Sequence, residues 1–378
     1  MNQSPGENEY PDRMRIAILG TRGIPARYGG FETFAEELAT RLVERGHEVT
    51  VYCRSKNYPY TEESYKGVRL IVLPTIRQKY LDTVVHTFLS VLHSSFQDFD
   101  VLLVCNAANS LFCFLPRLFG KKVLLNVDGI ERQRRKWGPL GKAWYLMGEM
   151  FSTIFPNGII TDARVIQHYY LTRYRKKSLM IPYGAKTGRV ASTCFLKQHG
   201  LKEDGYFLYV SRLEPENNAD LVIQAFEDVE TEHKLVIVGD APYAKDYKRK
   251  LMETKDPRII FTGYVFGQGY LELHSHAFCY IHATEVGGTH PALLDGMSLG
   301  RCVLANGTLE NVEVLGGGGI LYKKNDLHDL RERIRWILKH PEKRENLSQK
   351  AKERIGSFYT WDRVADQYEE AMGEGSGC

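Results

Sequence analysis

The chain has 378 residues, with 43% hydrophobic and 25% charged side chains and a formal net charge of +4. This is the balance of an ordinary soluble globular protein long enough for two domains, and the positive excess is too small to argue for nucleic acid as a partner. No run of about 18 apolar residues occurs, so no transmembrane helix is expected.

The opening stretch MNQSPGENEYPDR is polar, lacks the apolar core of a signal peptide and is expected to be a loose tail over 1–13, as is GEGSGC at the other end. Short β-rich runs then follow at 15–20, 48–53, 68–73, 100–105, 122–127, 158–161 and 178–182, with helical patterns between most of them. That alternation predicts βαβ units and a parallel sheet. One of the helical stretches, YLDTVVHTFLSVLHSSF at 80–96, carries an apolar stripe broken by His and Ser and is expected to face a core. After a poorly periodic segment around PYGAKTGRVAS the series restarts at 206–211, 234–239, 258–263, 278–283, 302–306 and 319–322. The fold class is therefore α/β, with two doubly wound Rossmann-like domains over 14–185 and 186–357. The apolar spacing of Trp361, Val364, Ala365, Tyr368 and Ala371 adds a final helix with one buried face within 358–372. Seven scattered cysteines without a CxxC pair read as buried, reduced thiols of a cytoplasmic protein, not as disulfides or a zinc site.

Two glycine pairs mark loops that leave a strand for a helix. In RYGGFETF, Gly29 and Gly30 precede a long helical pattern, so their bare amides can meet an anion at a helix start; a plain tight turn is the alternative. The stretch GTRGIPARYGG lacks the GxGxxG spacing of a dinucleotide site, which disfavours an oxidoreductase. In EVGGTHPALLDGM, Pro291 suits a first helical turn, and Gly287, Gly288 and Thr289 offer amides just before it. Glu285 and Asp295 flank that loop, and carboxylates bind hydroxyls of a ligand by charge-assisted hydrogen bonds. A capping role for Glu285 and a solvated helix charge for Asp295 are the bland alternatives. The run RQRRKW, with Arg132, Arg134, Arg135, Lys136 and Trp137, reads either as a solvated face or as a patch for an anionic membrane surface or an acceptor diphosphate.

LGTRGIPARYGGFETF, NVDGIERQRRKW, SRLEPENN and EVGGTHPALLDGM together resemble the retaining glycosyltransferases of the GT-B fold, glycosyltransferase family 4, over Met14 to Met372. The resemblance is narrower to a bacterial branch that contains rhamnosyltransferases of capsule and exopolysaccharide assembly. It implies two domains facing across a cleft, with the nucleotide-sugar donor on the C-terminal one, the acceptor on the N-terminal one, and a final helix crossing back. It implies that Arg212 neutralises the donor diphosphate; Asn217 stands where many relatives have a lysine. Glu285 would touch the donor sugar, and Asp295 would hold the ribose. Gly29, Gly30, Gly287, Gly288, Thr289 and His290 would line the donor, and base recognition would fall around Val265. Asp128 would contact the sugar or orient the acceptor hydroxyl, with helix capping as its alternative. Asp128, Glu285 and Arg212 are the expected catalytic residues, in a front-face reaction with no metal or other cofactor. Expected partners are dTDP-L-rhamnose or a UDP-hexose, a saccharide acceptor carried on a lipid, and an anionic membrane surface. An epimerase or phosphorylase, or a non-catalytic nucleotide-sugar-binding partner, would retain the same phosphate sites.

Overall fold

The computed structural model describes residues 13–27, 29–55, 62–76, 78, 81–241 and 244–374. Apart from Arg13 the expected N-terminal tail lies outside these residues, as do Tyr28, Cys378 and most of GEGSGC.

Aliphatic and β-branched runs form two sheets. The first uses β1 (Arg15–Leu19), β2 (Glu48–Arg54), β3 (Ser64–Tyr65), β4 (Val68–Leu73), β5 (Val101–Cys105), β6 (Lys122–Val127), β7 (Gly158–Thr161) and β8 (Leu179–Met180), in the order β3-β4-β2-β1-β5-β6-β7-β8. Its helices are α1 (Gly30–Glu44), α2 (Leu81–Ser95), α3 (Phe114–Leu118), α4 (Pro139–Ser152) and α5 (Arg164–Tyr174). Strand β1 is central: Ile16 aligns with Val49 on one side and Val101 on the other, both in parallel. Its residues Ile16–Leu19 are fully buried, as expected where helices cover both faces of a parallel sheet. The antiparallel two-residue β3 was too short to leave a signal in the sequence.

The second sheet uses β9 (Tyr206–Val210), β10 (Lys234–Val238), β11 (Ile259–Gly263), β12 (Cys279–His282), β13 (Val303–Asn306) and β14 (Ile320–Tyr322), in the order β11-β10-β9-β12-β13-β14. The remaining helices are α6 (Cys194–Gln198), α7 (Ala219–Glu227), α8 (Lys245–Leu251), α9 (Gly267–His276), α10 (Pro291–Leu299), α11 (Leu309–Leu315), α12 (Leu327–Lys339), α13 (Lys343–Phe358) and α14 (Trp361–Gly373). In each sheet the strand order reverses beside the first strand, between β1 and β5 and between β9 and β12. Such switch points open a crevice at the carboxyl ends of the strands, where this kind of sheet binds ligands.

The chain divides into two compact units. One holds the described residues up to Val127, Met147–Ile160 and the chain from Ala365; the other holds Asp128–Leu146 and Thr161–Val364. The run RQRRKW thus groups with the second unit, although it lies well before the 185/186 boundary drawn from strand series. Within the first unit, α14 is fastened at its far end. Asn126 Nδ2 donates to Tyr368 Oη at 2.6 Å, Tyr368 packs on Phe34, and Glu369 accepts from Arg45 at 2.7 Å. Of the described cysteines only Cys194 is exposed.

The expectation that the 80–96 stretch turns its apolar stripe to a core is overturned. Helix α2 buries His86, Thr87, Ser90, Val91, Ser94 and Ser95, and leaves Phe88, Leu92 and Phe96 exposed. Small hydroxyl side chains can lie close against neighbouring elements because they return their hydrogen bonds to the helix backbone. Ser90 Oγ donates to the His86 carbonyl at 2.8 Å and Ser95 Oγ to that of Val91 at 2.7 Å.

Candidate active site

In the second unit the loop after β9 carries Arg212. Its side chain is about a third exposed, and Nη2 lies 3.9 Å from Glu214 Oε2. Asn217, at the position where the resemblance expects a lysine, is buried and supplies no charge. Its Nδ2 donates to the Arg212 carbonyl at 2.7 Å, and its own carbonyl accepts from Tyr209 Oη at 2.8 Å. Asn217 therefore fixes the loop that presents Arg212.

The second cation comes from the RQRRKW run. Lys136 Nζ reaches Glu214 Oε2 at 3.1 Å, on the carboxylate that Arg212 also approaches. Burial, and then the Arg212 charge, lower the Lys136 ammonium below its ordinary range. Burial alone would raise Glu214, but Arg212 and then Lys136 hold it at about 2. Arg134 is only 3% exposed; it pairs with Glu131 through Nε and lies 3.8 Å from Glu216 Oε1. Burial opposes its charge, yet Glu131, Asp128 and Glu216 raise its pKa above the usual arginine value. Arg135 bonds Glu285 Oε2 at 2.8 Å, Arg132 bonds Tyr169 Oη at 2.9 Å, and Trp137 packs on Tyr145. The run read as a solvated face or as a patch for a membrane or an acceptor turns Arg134, Arg135 and Lys136 onto Glu131, Glu214, Glu216 and Glu285. A buried guanidinium needs carboxylates, and these loops provide them.

The loop after β12 explains its glycines by packing. Gly287 has φ +154°, and a Cβ there would sit 2.3 Å from His290 Cε1. A Cβ on Gly129 would fall 2.5 Å from Gly287 Cα, and one on Gly288 only 2.0 Å from Asp162 Oδ1. Asp162 was not singled out in the sequence, where it is one acid in TDARV just past the end of β7. The available signal was position: Asp128 stands likewise just past β6. Asp162 Oδ2 accepts from the Thr289 amide at 2.7 Å, and Thr289 Oγ1 donates to the Asp162 carbonyl. One of the amides expected to cradle a phosphate is therefore held by this carboxyl group.

Asp128 accepts from the Gly129 amide at 2.8 Å, and its carboxyl interacts with that of Asp162. Burial, and then Glu131, raise Asp128; burial, and then Asp128, raise Asp162 well above the carboxylate range. Two interacting carboxyls, Asp162 fully buried and Asp128 half-buried, do not readily ionise together, which favours a single proton held between them. His290, the residue before α10, is kept neutral by burial and then by His282. His282, pushed down to about 3 by burial, contacts Tyr280 Oη through Nδ1 at 3.0 Å.

Glu285 accepts from Asn325 Nδ2 as well as from Arg135. Asp295 is not a solvated helix charge. It is buried one turn into α10, where Oδ1 accepts from the Lys186 amide at 2.9 Å and Oδ2 from Tyr270 Oη at 2.8 Å. Val265 lies in the loop after the edge strand β11, with its Cγ1 3.0 Å from a Cβ built on Gly269.

In the first unit Gly30 opens α1 and Gly29 precedes it in an extended conformation, φ −157°. Glu32, also missed in the sequence, sits in the first turn. It accepts from the Arg22 amide at 2.9 Å and lies 2.9 Å from a Cβ built on Gly29. Glu36 accepts from the Ala26 amide at 2.6 Å. These carboxylates fix the β1–α1 loop and complement the helix dipole. At the switch point of the same sheet Gly20 has φ +87° and passes close to the Cys105 carbonyl, 2.4 Å from a built Cβ.

Residues 194–354 match the family model of glycosyl transferases group 1, and residues 13–186 match a domain of unknown function, DUF1972. The lipopolysaccharide 1,2-N-acetylglucosaminetransferase of Salmonella typhimurium is 26% identical over 276 residues, 66% of this chain and 71% of that one. Sucrose-phosphate synthase from Thermosynechococcus elongatus superposes with a TM-score of 0.80 at 18% identity, over 95% of this chain and 98% of that one. HepE of Anabaena, solved in complex with UDP and glucose, superposes with a TM-score of 0.76 at 15% identity, over 96% and 100% of the two chains. With two parallel α/β sheets and these structural neighbours, the chain has the GT-B fold of a glycosyltransferase, and its residues 194–354 match the group 1 model.

Proposed function

We propose that the protein transfers a sugar from a nucleotide-sugar donor to a saccharide acceptor in polysaccharide or glycolipid synthesis. The observation that carries this reading is the meeting of Lys136 and Arg212 on Glu214 beside the switch point of the second sheet. A donor diphosphate entering there exchanges one carboxylate for a more highly charged partner of the same two cations. Such charges, aimed at a leaving group, stabilise the transition state and make a metal unnecessary for this role. Asp128 and Asp162 place a proton-holding pair next to the loop that carries Gly288 and Thr289. In this reading Asp128 orients the acceptor hydroxyl, Glu285 contacts the donor sugar, and the departing phosphate takes the acceptor proton in a front-face, retaining reaction. The sequence motifs favour dTDP-L-rhamnose as donor and a lipid-linked acceptor. A UDP-hexose is the second reading, favoured by the likeness to HepE, which was solved with UDP and glucose.

The test is nucleoside diphosphate release from a panel of nucleotide sugars, with and without a lipid-linked saccharide acceptor. Release that depends on acceptor is expected. Arg212→Ala is expected to lower turnover about 10²–10³-fold with an unchanged circular dichroism spectrum. Donor binding without release under any acceptor condition, or a folded Arg212→Ala variant with near-parental turnover, overturns the reading.

A further inference from the structure

The loop after β9 carries two glutamates with different surroundings. Glu214 Oε2 lies 3.1 Å from Lys136 Nζ and 3.9 Å from Arg212 Nη2. Glu216, two residues on, stands in the short turn Pro215–Asn217 and is 0% exposed. Neither of its carboxyl oxygens is hydrogen-bonded among the described residues. Its ion partner is Arg134, whose Nη1 stands 3.8 Å from Oε1, and Arg134 is shared, since its Nε is bonded to Glu131. A buried carboxylate compensated so weakly is costly, and the protonated acid costs much less. The backbone around it is pinned: the Glu216 carbonyl accepts from the Glu285 amide at 3.0 Å, and the next residue, Asn217, is bonded to Arg212 and Tyr209.

Among the described residues, the charges that face Glu216 come from three loops of the second unit. Its own loop brings Arg212 and Glu214. The loop after β6 brings Glu131, Arg134 and Lys136, with Asp128 acting on Arg134. The loop after β12 brings Glu285, held by Arg135 at 2.8 Å, and His290, which burial keeps neutral beside Arg134 and Arg212. Burial, and then the Glu214 charge, raise Glu216 above the ordinary glutamate range, against the pull of its own amide, Arg134 and Lys136. Burial acts on Glu214 in the same direction, but Arg212 and then Lys136 hold it at about 2. The two carboxyls thus depend on one set of cations, and the proton affinity of each depends on the charge of the other.

A donor diphosphate that takes Lys136 and Arg212 brings its negative charges to the place where Glu214 held them. Glu214 then loses the countercharges that keep it ionised, and Glu216 meets a more negative surrounding. Two such carboxylates beside a diphosphate do not stay ionised together. We infer that donor binding is coupled to proton uptake, and that Glu216 is the residue which receives this proton from solvent and so leaves the cations to the diphosphate. Glu216 is a positioning residue in this role, because it acts through Arg134 and Glu214. The inference rests on the donor site proposed at Lys136 and Arg212. Its sign follows from linkage: donor affinity is highest below the pKa of Glu216 in the free site, and it falls as pH rises toward the higher pKa in the complex.

Isothermal titration calorimetry of the full chain with UDP-glucose and with dTDP-rhamnose, in the absence of acceptor, measures the proton count. Both diphosphates are doubly esterified and do not titrate near neutrality. The binding enthalpy is compared in phosphate and in Tris, which differ in ionisation enthalpy. Uptake approaching about one proton is expected in the neutral to alkaline range, with a fall in affinity of about tenfold for each unit by which the complex raises the pKa. Glu216→Gln keeps the shape of the side chain and cannot ionise. It should lose the uptake and hold at alkaline pH the affinity that the parent shows at acid pH, with an unchanged circular dichroism spectrum. Should this variant fail to fold, infrared difference spectra on donor binding decide: a protonated-carboxyl band should appear in the parent and persist in Glu214→Gln. Binding whose enthalpy is the same in both buffers across the pH range overturns the inference and leaves the donor site standing. So does a folded Glu216→Gln variant with parental uptake, a loss of uptake in Asp162→Asn instead, or an infrared band absent from the parent or lost in Glu214→Gln. Failure of both nucleotide sugars to bind overturns the donor site and the inference together.

Discussion

Gly288→Ala tests whether the loop after β12 is built around Asp162. The added methyl carbon would lie 2.0 Å from Asp162 Oδ1 and 2.3 Å from both Cγ and Oδ2. Those distances are more than an ångström short of an ordinary contact, so a group must move. The loop backbone is tied by the Thr289 amide, which donates to Oδ2 at 2.7 Å, and by Thr289 Oγ1 on the Asp162 carbonyl. The carboxyl has no open side, being 1% exposed. Overpacking costs about 1–3 kcal/mol, and losing a hydrogen bond to a charged or buried carboxyl about 1.5–3 kcal/mol. A loss of roughly 3–5 kcal/mol follows, or at least about 6 °C in melting temperature for a unit of this size. Near-ultraviolet circular dichroism on heating measures it. Asp162→Ala removes every atom nearest the new methyl, so in that background Gly288→Ala should cost under about 1 kcal/mol. Equal costs in the two backgrounds, or no cost in the parent, would refute the packing argument.

Arg134→Met should destabilise the second unit by about 3–5 kcal/mol, because Glu131 and Glu216 lose a buried countercharge. Denaturant unfolding that leaves the midpoint unmoved would show that the ion cluster contributes nothing net. For Asp162 the raised pKa means that the folded state holds a proton which the unfolded chain, with an aspartate pKa of about 3.9, releases. Stability from this group is therefore present below about pH 4 and declines as pH rises toward the folded pKa. Asp162→Asn keeps an acceptor for the Thr289 amide and cannot ionise. Its stability relative to the parent should rise between pH 4 and 8, and a flat or falling difference across that range would contradict the shared-proton pair.

The alternation of strands and helices was legible because parallel strands buried on both faces are written as apolar runs, and both switch-point loops could be quoted from the sequence. The glycines at 287–288 and Pro291 at a helix start were legible for the same local reason, since each follows from the few residues around it, whereas Arg212 past the end of β9 was implied by the family resemblance. What remained hidden is nonlocal. No spacing in the sequence connects Lys136 with Glu214, Arg134 with Glu216 or Asp162 with Gly288, because those pairs meet only after the chain has folded. A run of cations reads as a surface until its carboxylate partners are placed. Helix α2 shows the complementary limit. Its periodicity correctly gave a helix with an apolar stripe, but period alone does not say which face is buried. The side facing the protein had to fit a narrow gap, and small Ser side chains that hydrogen-bond their own backbone fit it, so the larger apolar groups were left outside. Local pattern was enough for the longer elements and their order along the chain, though not for the two-residue β3; the pairing of charges and the direction of each face came from the fold, since both depend on contacts between residues far apart in the chain.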